Sequence, residues 1–163
     1  MDMPEYQQQQ IETWDYINKS SLEWINYQCS KGTKDYYEML KKYWNKDDIM
    51  FLEMDIVPND RMVLDIAVCP KPICTYDYLI PTQRYKGYQK ICANGRFGMG
   101  LTKIAKSVQK QIDIDNVIRL CNPFVINFDI VFSKIMEDKG ILAHIHGIVK
   151  HNHSDLEPIR WIF

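Results

Sequence analysis

Apolar positions change their period along this chain, and the changes mark out the predicted elements. In the first third, Ile11, Trp14 and Ile17, then Leu22, Ile25 and Cys29, recur every three or four residues, as on a helix packed along one side. Residues 18–21 and 30–32 are polar breaks between such segments. A helix is predicted over 33–44, with Thr33 as N-cap and Tyr36, Leu40, Tyr43 and Trp44 as its apolar stripe. From Ile49 the pattern reads as strands, at 49–57, at 61–68 after a turn at 58–60, and at 73–80. Over 101–112 a helical period returns, with Leu101, Ile104, Ala105, Val108 and Ile112 on one side. Residues 124–133 alternate, Ile126, Phe128, Ile130 and Phe132 against Val125, Asn127, Asp129 and Val131, which predicts a strand. The turn residues Asp138, Lys139 and Gly140 follow, so 124–149 reads as an antiparallel hairpin. The expected fold class is α+β: N-terminal helices followed by an antiparallel sheet with a packed basic helix. One domain is expected, helical over 1–46 and sheet-rich over 47–163.

The second arm of that hairpin carries the chemistry. All four histidines fall within ten residues, His144, His146, His151 and His153. On a strand His144 and His146 share a face, which makes a half-site for a divalent metal that still needs a carboxylate. A pair of surface histidines on an edge strand is the plain alternative. With a two-residue turn, Asp129 joins the histidine face diagonal to His146; with a three-residue turn it moves to the other face, leaving Glu137 as third ligand. Cys69 and Cys74 could instead join His151 and His153 in a zinc site, although the spacing of the cysteines and the prolines between them fit this poorly. Glu53, Asp55, Asp65, Asp113 and Asp115 read more simply as solvent-facing carboxylates than as a two-metal nuclease site.

The segment from Glu137 through His144 and His146 to Val149 resembles the acidic-turn and H-x-H hairpin of the HUH endonucleases, which include rolling-circle replication initiators, relaxases and some transposases. The resemblance covers about 25 of 163 residues; the strand at 49–57 is similar to the family's first strand motif. It implies Mn²⁺ or Mg²⁺ held by His144, His146 and Asp129 or Glu137, and a tyrosine that attacks the scissile phosphate. Replication initiators place that tyrosine after the histidines, whereas the last tyrosine here is Tyr88. Relaxases place it before them. On that order the resemblance implies Tyr37 as nucleophile, with Lys41 one turn later to offset charge on the phosphate. The same helix also reads as an ordinary amphipathic one.

Charge separates along the chain. Residues 78–112 hold no acid and seven bases, Arg84, Lys86, Lys90, Arg96, Lys103, Lys106 and Lys110, in a chain of net charge −1. On the predicted helix Lys103, Lys106 and Lys110 form one line, suited to the backbone of single-stranded DNA, with Tyr85, Tyr88 and Phe97 to stack bases. A solvated lysine face is the alternative. Composition adds that 163 residues with 46% hydrophobic content can bury a real core, and that five irregularly spaced cysteines fit a reducing compartment. A polar start without a secretory signal and the absence of any membrane-length apolar run predict an intracellular protein, in cytoplasm or nucleus, with no membrane partner. The expected function is metal-dependent nicking of single-stranded DNA at a replication or transfer origin. The alternative is a non-catalytic nucleic-acid- or protein-binding module, such as a viral or mobile-element accessory protein.

Overall fold

The computed structural model describes residues 13, 15, 16, 19, 33–53, 56–82, 87–90, 92, 96–123 and 127–151. Among them the chain runs α1 (Thr33–Tyr43), β1 (Ile49–Leu52), β2 (Ile56–Val57), α2 (Asp60–Val68), β3 (Ile73–Asp77), β4 (Leu79–Thr82), β5 (Gly87–Lys90), β6 (Leu101–Ile104), α3 (Lys106–Gln109), α4 (Ile114–Leu120), α5 (Phe128–Asp138), β7 (His144–Ile148) and β8 (Lys150–His151). This is an α+β arrangement, with helices interleaved among the strands rather than confined to the N-terminal part.

The main sheet has four strands in the order β1-β6-β3-β7. β6 pairs antiparallel with β1 and β3, whereas β7 pairs parallel to β3, so the sheet is mixed and not antiparallel throughout. Alternation along the strands gives the sheet two faces, and each faces its own core. Phe51, Ile73 and Ile104 point toward α1, α4 and α5, among Leu40, Trp44, Val117, Phe128, Phe132 and Met136. Cys74, Tyr76 and Leu101 point the other way, toward Val63 and Ile66 of α2. No helix among the described residues is long and apolar enough to cross a membrane.

Three elements differ from the sequence expectation. The predicted strand at 61–68 is helix α2: Asn59 Oδ1 accepts from the Met62 amide at 3.0 Å as N-cap, and Val63 and Ile66, three residues apart, are the buried positions. The predicted helix at 101–112 is strand β6 followed by the short α3. All four β6 residues are buried because the strand lies between two neighbours with a core on each face, and such a strand shows no alternation.

The predicted hairpin at 124–149 is absent. Residues 128–138 form α5, on which Phe128, Phe132 and Met136 recur every four residues as one buried stripe, and Ser133 is buried beside them. Gly140, at φ 68°, ends α5. Its amide donates to Glu137 O and that of Ile141 to Met136 O, both at 2.9 Å, a Schellman closure. The turn residues were legible, but they join a helix to β7 rather than two strands. The long predicted strand at 49–57 is divided into β1 and β2, and β2 pairs with β8. Helix α1 and the strands within 73–80 stand as expected.

Candidate metal centre

The histidines lie on β7, an edge strand of the main sheet. Cys74 of β3 is the cross-strand partner of His144 and Thr75 of Ile145. The register then slips: Asp77 meets Ile148, so His146 and Gly147 together oppose Tyr76. The bulge lets the His146 ring lie over that of Tyr76, centroids 5.6 Å apart and planes 21° apart. Gly147 belongs there for a steric reason, since a Cβ would come within 3.2 Å of the Tyr76 ring. His144 meets His146 edge to face at 4.6 Å, so both imidazoles are on the α2 side of the sheet.

The third donor comes from the end of α2. Cys69 is its C-cap, and its thiol reaches across to β7. One ligand atom from each of Cys69, His144 and His146 lies within 4.8 Å of the other two. Cys69 is held in place from below by Lys103, a buried lysine of β6 whose ammonium donates to Cys69 O at 2.5 Å and Ala67 O at 3.3 Å. These are carbonyls at a helix C-terminus, where a cation is favourable. On the same face, the Tyr76 hydroxyl donates to Asp65 Oδ2 at 3.1 Å, and Arg61 approaches that carboxylate at 3.9 Å.

His146 Nε2 is buried and has no hydrogen-bond partner among the described residues. Burial, then the neighbouring His144, hold His146 below the usual imidazole range, and the Asp65 charge opposes them. The ring is therefore favoured in its neutral form, with a thiol and a second imidazole beside it. An orphan nitrogen of this kind is costly unless something occupies it.

The other expected site residues lie elsewhere. Tyr37 is buried in the helical core, on the opposite face of the sheet from the histidines. Burial, followed by the nearby Cys121 thiol, raises its phenol to about 12. Lys41 pairs with Asp115 at 2.8 Å, and its ammonium is favoured by that contact. Asp129 is in the first turn of α5, close to Tyr37 and Cys121, where burial raises its carboxyl. Glu137 bonds Lys134 at 3.1 Å. The structure thus gathers Tyr37 and Asp129 on the helical side and brings neither Asp129 nor Glu137 to the histidines. The hairpin register that offered them as ligands fails because α5 is a helix.

The basic stretch is likewise divided. Lys103 is buried under Cys69, Lys106 bonds Asp48 through its amide at 2.8 Å and Lys46 O through its ammonium, and Lys110 and Arg96 are exposed. The expected line of three lysines required a helix from 101 onward, and β6 removes it. Arg84, Lys86 and Tyr85 lie outside the described residues, as do the side chains of Lys90 and Tyr88. Phe97 is buried against Phe132. His151 is buried against Tyr78, and His153 is outside the described residues. Cys69, read from sequence with these last two histidines, faces the other two instead. The signal that could have found it was Asn59 as a helix cap, because a nine-residue helix from Asp60 ends at Val68 and leaves Cys69 at its terminus.

The chain matches no protein-family model, no curated protein and no solved structure.

Proposed function

We propose that the chain is a metal-binding domain that takes a zinc-class divalent ion at Cys69, His144 and His146. The observation that carries this reading is the convergence of one thiol and two imidazoles within 4.8 Å, one of them with an orphaned buried nitrogen. A sulfur and two nitrogens suit Zn²⁺, whereas Mg²⁺ and Mn²⁺, the ions implied by the family resemblance, prefer oxygen donors. Bound there, the ion ties the end of α2 to the sheet edge. Calorimetry with Zn²⁺ tests it: one ion per chain is expected for the wild type, with loss of binding in His144→Ala/His146→Ala. Zn²⁺ added at about 100 times its Kd should stabilise the wild type by about 2.7 kcal/mol. Equal titrations of the two proteins would refute the reading.

A second reading keeps the nicking of single-stranded DNA but moves the nucleophile. Tyr76, not Tyr37, shares the face of the histidines, and its hydroxyl already donates to a carboxylate, Asp65. In this scheme Asp65 takes the phenolic proton and Tyr76 Oη attacks the phosphorus. The 3′-oxygen leaves with a proton from water, and a 5′-phosphotyrosine remains. Incubation with Zn²⁺ or Mn²⁺ and pooled oligonucleotides should give a denaturant-resistant adduct that Tyr76→Phe abolishes and Tyr37→Phe retains. No adduct with any metal would remove this reading and leave the metal-binding one in place.

A further inference from the structure

A second thiol stands next to the three donors. Cys74 is fully buried at the start of β3, directly across from His144 and in the same core cluster as Cys69, and its thiol donates to Lys71 O at 3.4 Å. The Pro70-Lys71-Pro72 loop joins α2 to β3, so that Cys69 before it and Cys74 just after it lie in the same core. One ligand atom each of Cys69, His144 and His146 already lies within 4.8 Å of the others, and Cys74, paired across from His144, is the neighbouring donor that a rotation of its side chain would bring to them. We propose that Cys74 supplies the fourth donor and that the centre is a closed Cys₂His₂ zinc site. This rests on the metal-binding reading and fixes its ligand number.

Charge favours the second thiolate. A dication with one thiolate and two neutral imidazoles carries +1, and the buried Lys103 ammonium beneath Cys69 makes +2. The Asp65 carboxylate, itself approached by Arg61, is the anion on this side that offsets it. Excess charge is costly at the buried end of the site, where Cys69, Cys74 and Lys103 lie. When the Cys69 and Cys74 thiols both lose their protons to the solvent on binding, the ion and its ligands sum to zero, Lys103 is offset by Asp65, and the largely exposed Arg61 is left to the solvent. Rotating the Cys74 side chain away from Lys71 O exchanges a weak S–H bond for a metal–sulfur bond. The resulting set is tetrahedral with no open position, the pattern of structural zinc.

X-ray absorption at the zinc edge on the wild-type protein decides the matter without any variant. Two sulfurs at about 2.3 Å and two nitrogens at about 2.0–2.1 Å are expected. One sulfur with three nitrogen or oxygen neighbours would overturn the role of Cys74 while leaving zinc binding intact, and would keep the nicking reading open. Failure to retain any zinc would instead refute the metal-binding reading itself. Cys74→Ala provides a second measure. Loss of an outer partner of a metal ligand weakens binding by about 10–100-fold, so loss of a direct ligand should weaken Zn²⁺ binding by more than about 100-fold. In the cobalt-substituted protein, the sulfur-to-cobalt charge-transfer band should fall to about half in folded Cys74→Ala, as one of two equivalent thiolates is lost. Unchanged affinity and band in that variant would count against the proposal; should it not fold, the absorption data on the wild type stand alone.

Discussion

Helix α5 offers the sharpest test of the fold, because Ile130 changes sides between the two readings of its sequence. If 124–133 were a strand, Ile130 would share a face with Phe128 and Phe132, and a lysine there would be as damaging as an alanine at Phe132. In α5, Ile130 is 54% exposed while Phe132 is fully buried, stacked on Phe128 at 5.2 Å and edge-on to Trp44 and Phe97 at 5.8 and 6.1 Å. Ile130→Lys should therefore change stability by no more than about 0.5 kcal/mol, with a small gain from lysine's better helix propensity. Phe132→Ala removes roughly 150–200 Å² of buried ring surface. At about 25 cal/mol per Å² this is about 4–5 kcal/mol, near the top of the ~3–5 kcal/mol range for such truncations. For a domain of this size a loss of about 4 kcal/mol lowers Tm by about 8–16 °C. Urea denaturation followed by far-UV circular dichroism and tryptophan fluorescence reads both variants. Comparable losses for Ile130→Lys and Phe132→Ala would refute the helical assignment of α5.

Asn59→Ala removes the cap of α2 and should cost about 1 kcal/mol in the same denaturation assay, with Asn59→Asp retaining most of the stability; no change in the alanine variant would remove Asn59 as a cap. Tyr37 ionises near 10 when unfolded but at about 12 when folded, so the unfolded chain releases this proton first and stability falls between those pH values. The wild type should lose up to about 3 kcal/mol more than Tyr37→Phe across that window, and parallel stability–pH curves for the two would contradict the burial of the phenol. Gly98→Ala places a Cβ against the Tyr78 hydroxyl and the adjoining edge of its ring, and should cost about 1–3 kcal/mol by overpacking. A neutral result in thermal unfolding would mean that Tyr78 can move away from His151.

What could be read from the sequence, and what could not, follows from the periods themselves. Helix α1 was legible because Tyr36, Leu40, Tyr43 and Trp44 fit only a helical stripe. Residues 124–133 were not, because large residues at every second position include pairs four apart, and Phe128 and Phe132 satisfy a strand and a helix alike. The run 101–112 misled for the opposite reason: β6 is covered on both faces, so its apolar residues show no strand period and merge with those of α3 and the segment after it. Half of the candidate site was legible, since alternation alone put His144 and His146 on one face. The two cysteines were legible as candidate metal ligands but were set with His151 and His153, because Cys69 reaches His144 and His146 only through the length of α2, and Cys74 comes beside His144 only through a parallel pairing that no local pattern encodes. Lys103 shows the same limit: its charge suggested an outer surface, and only β6 turns it inward to hold Cys69.

The parallel pairing of β3 with β7 also sets when the centre can exist. Cys74 and His144 are seventy residues apart in the chain, and nothing local holds them together before β7 docks. Closing so long a loop is slow, and its entropy is repaid only once the strands are paired. Of the helices that pack against the other face, α4 and α5 are built from residues between the two cysteines and the histidines. They can fold first, leaving β7 to be added at the sheet edge as a late step. An ion that needs donors from both ends of this loop cannot help to start folding. It would act afterwards, as a latch that slows the departure of the last strand, so its signature is a slower unfolding rate with little change in the rate of folding.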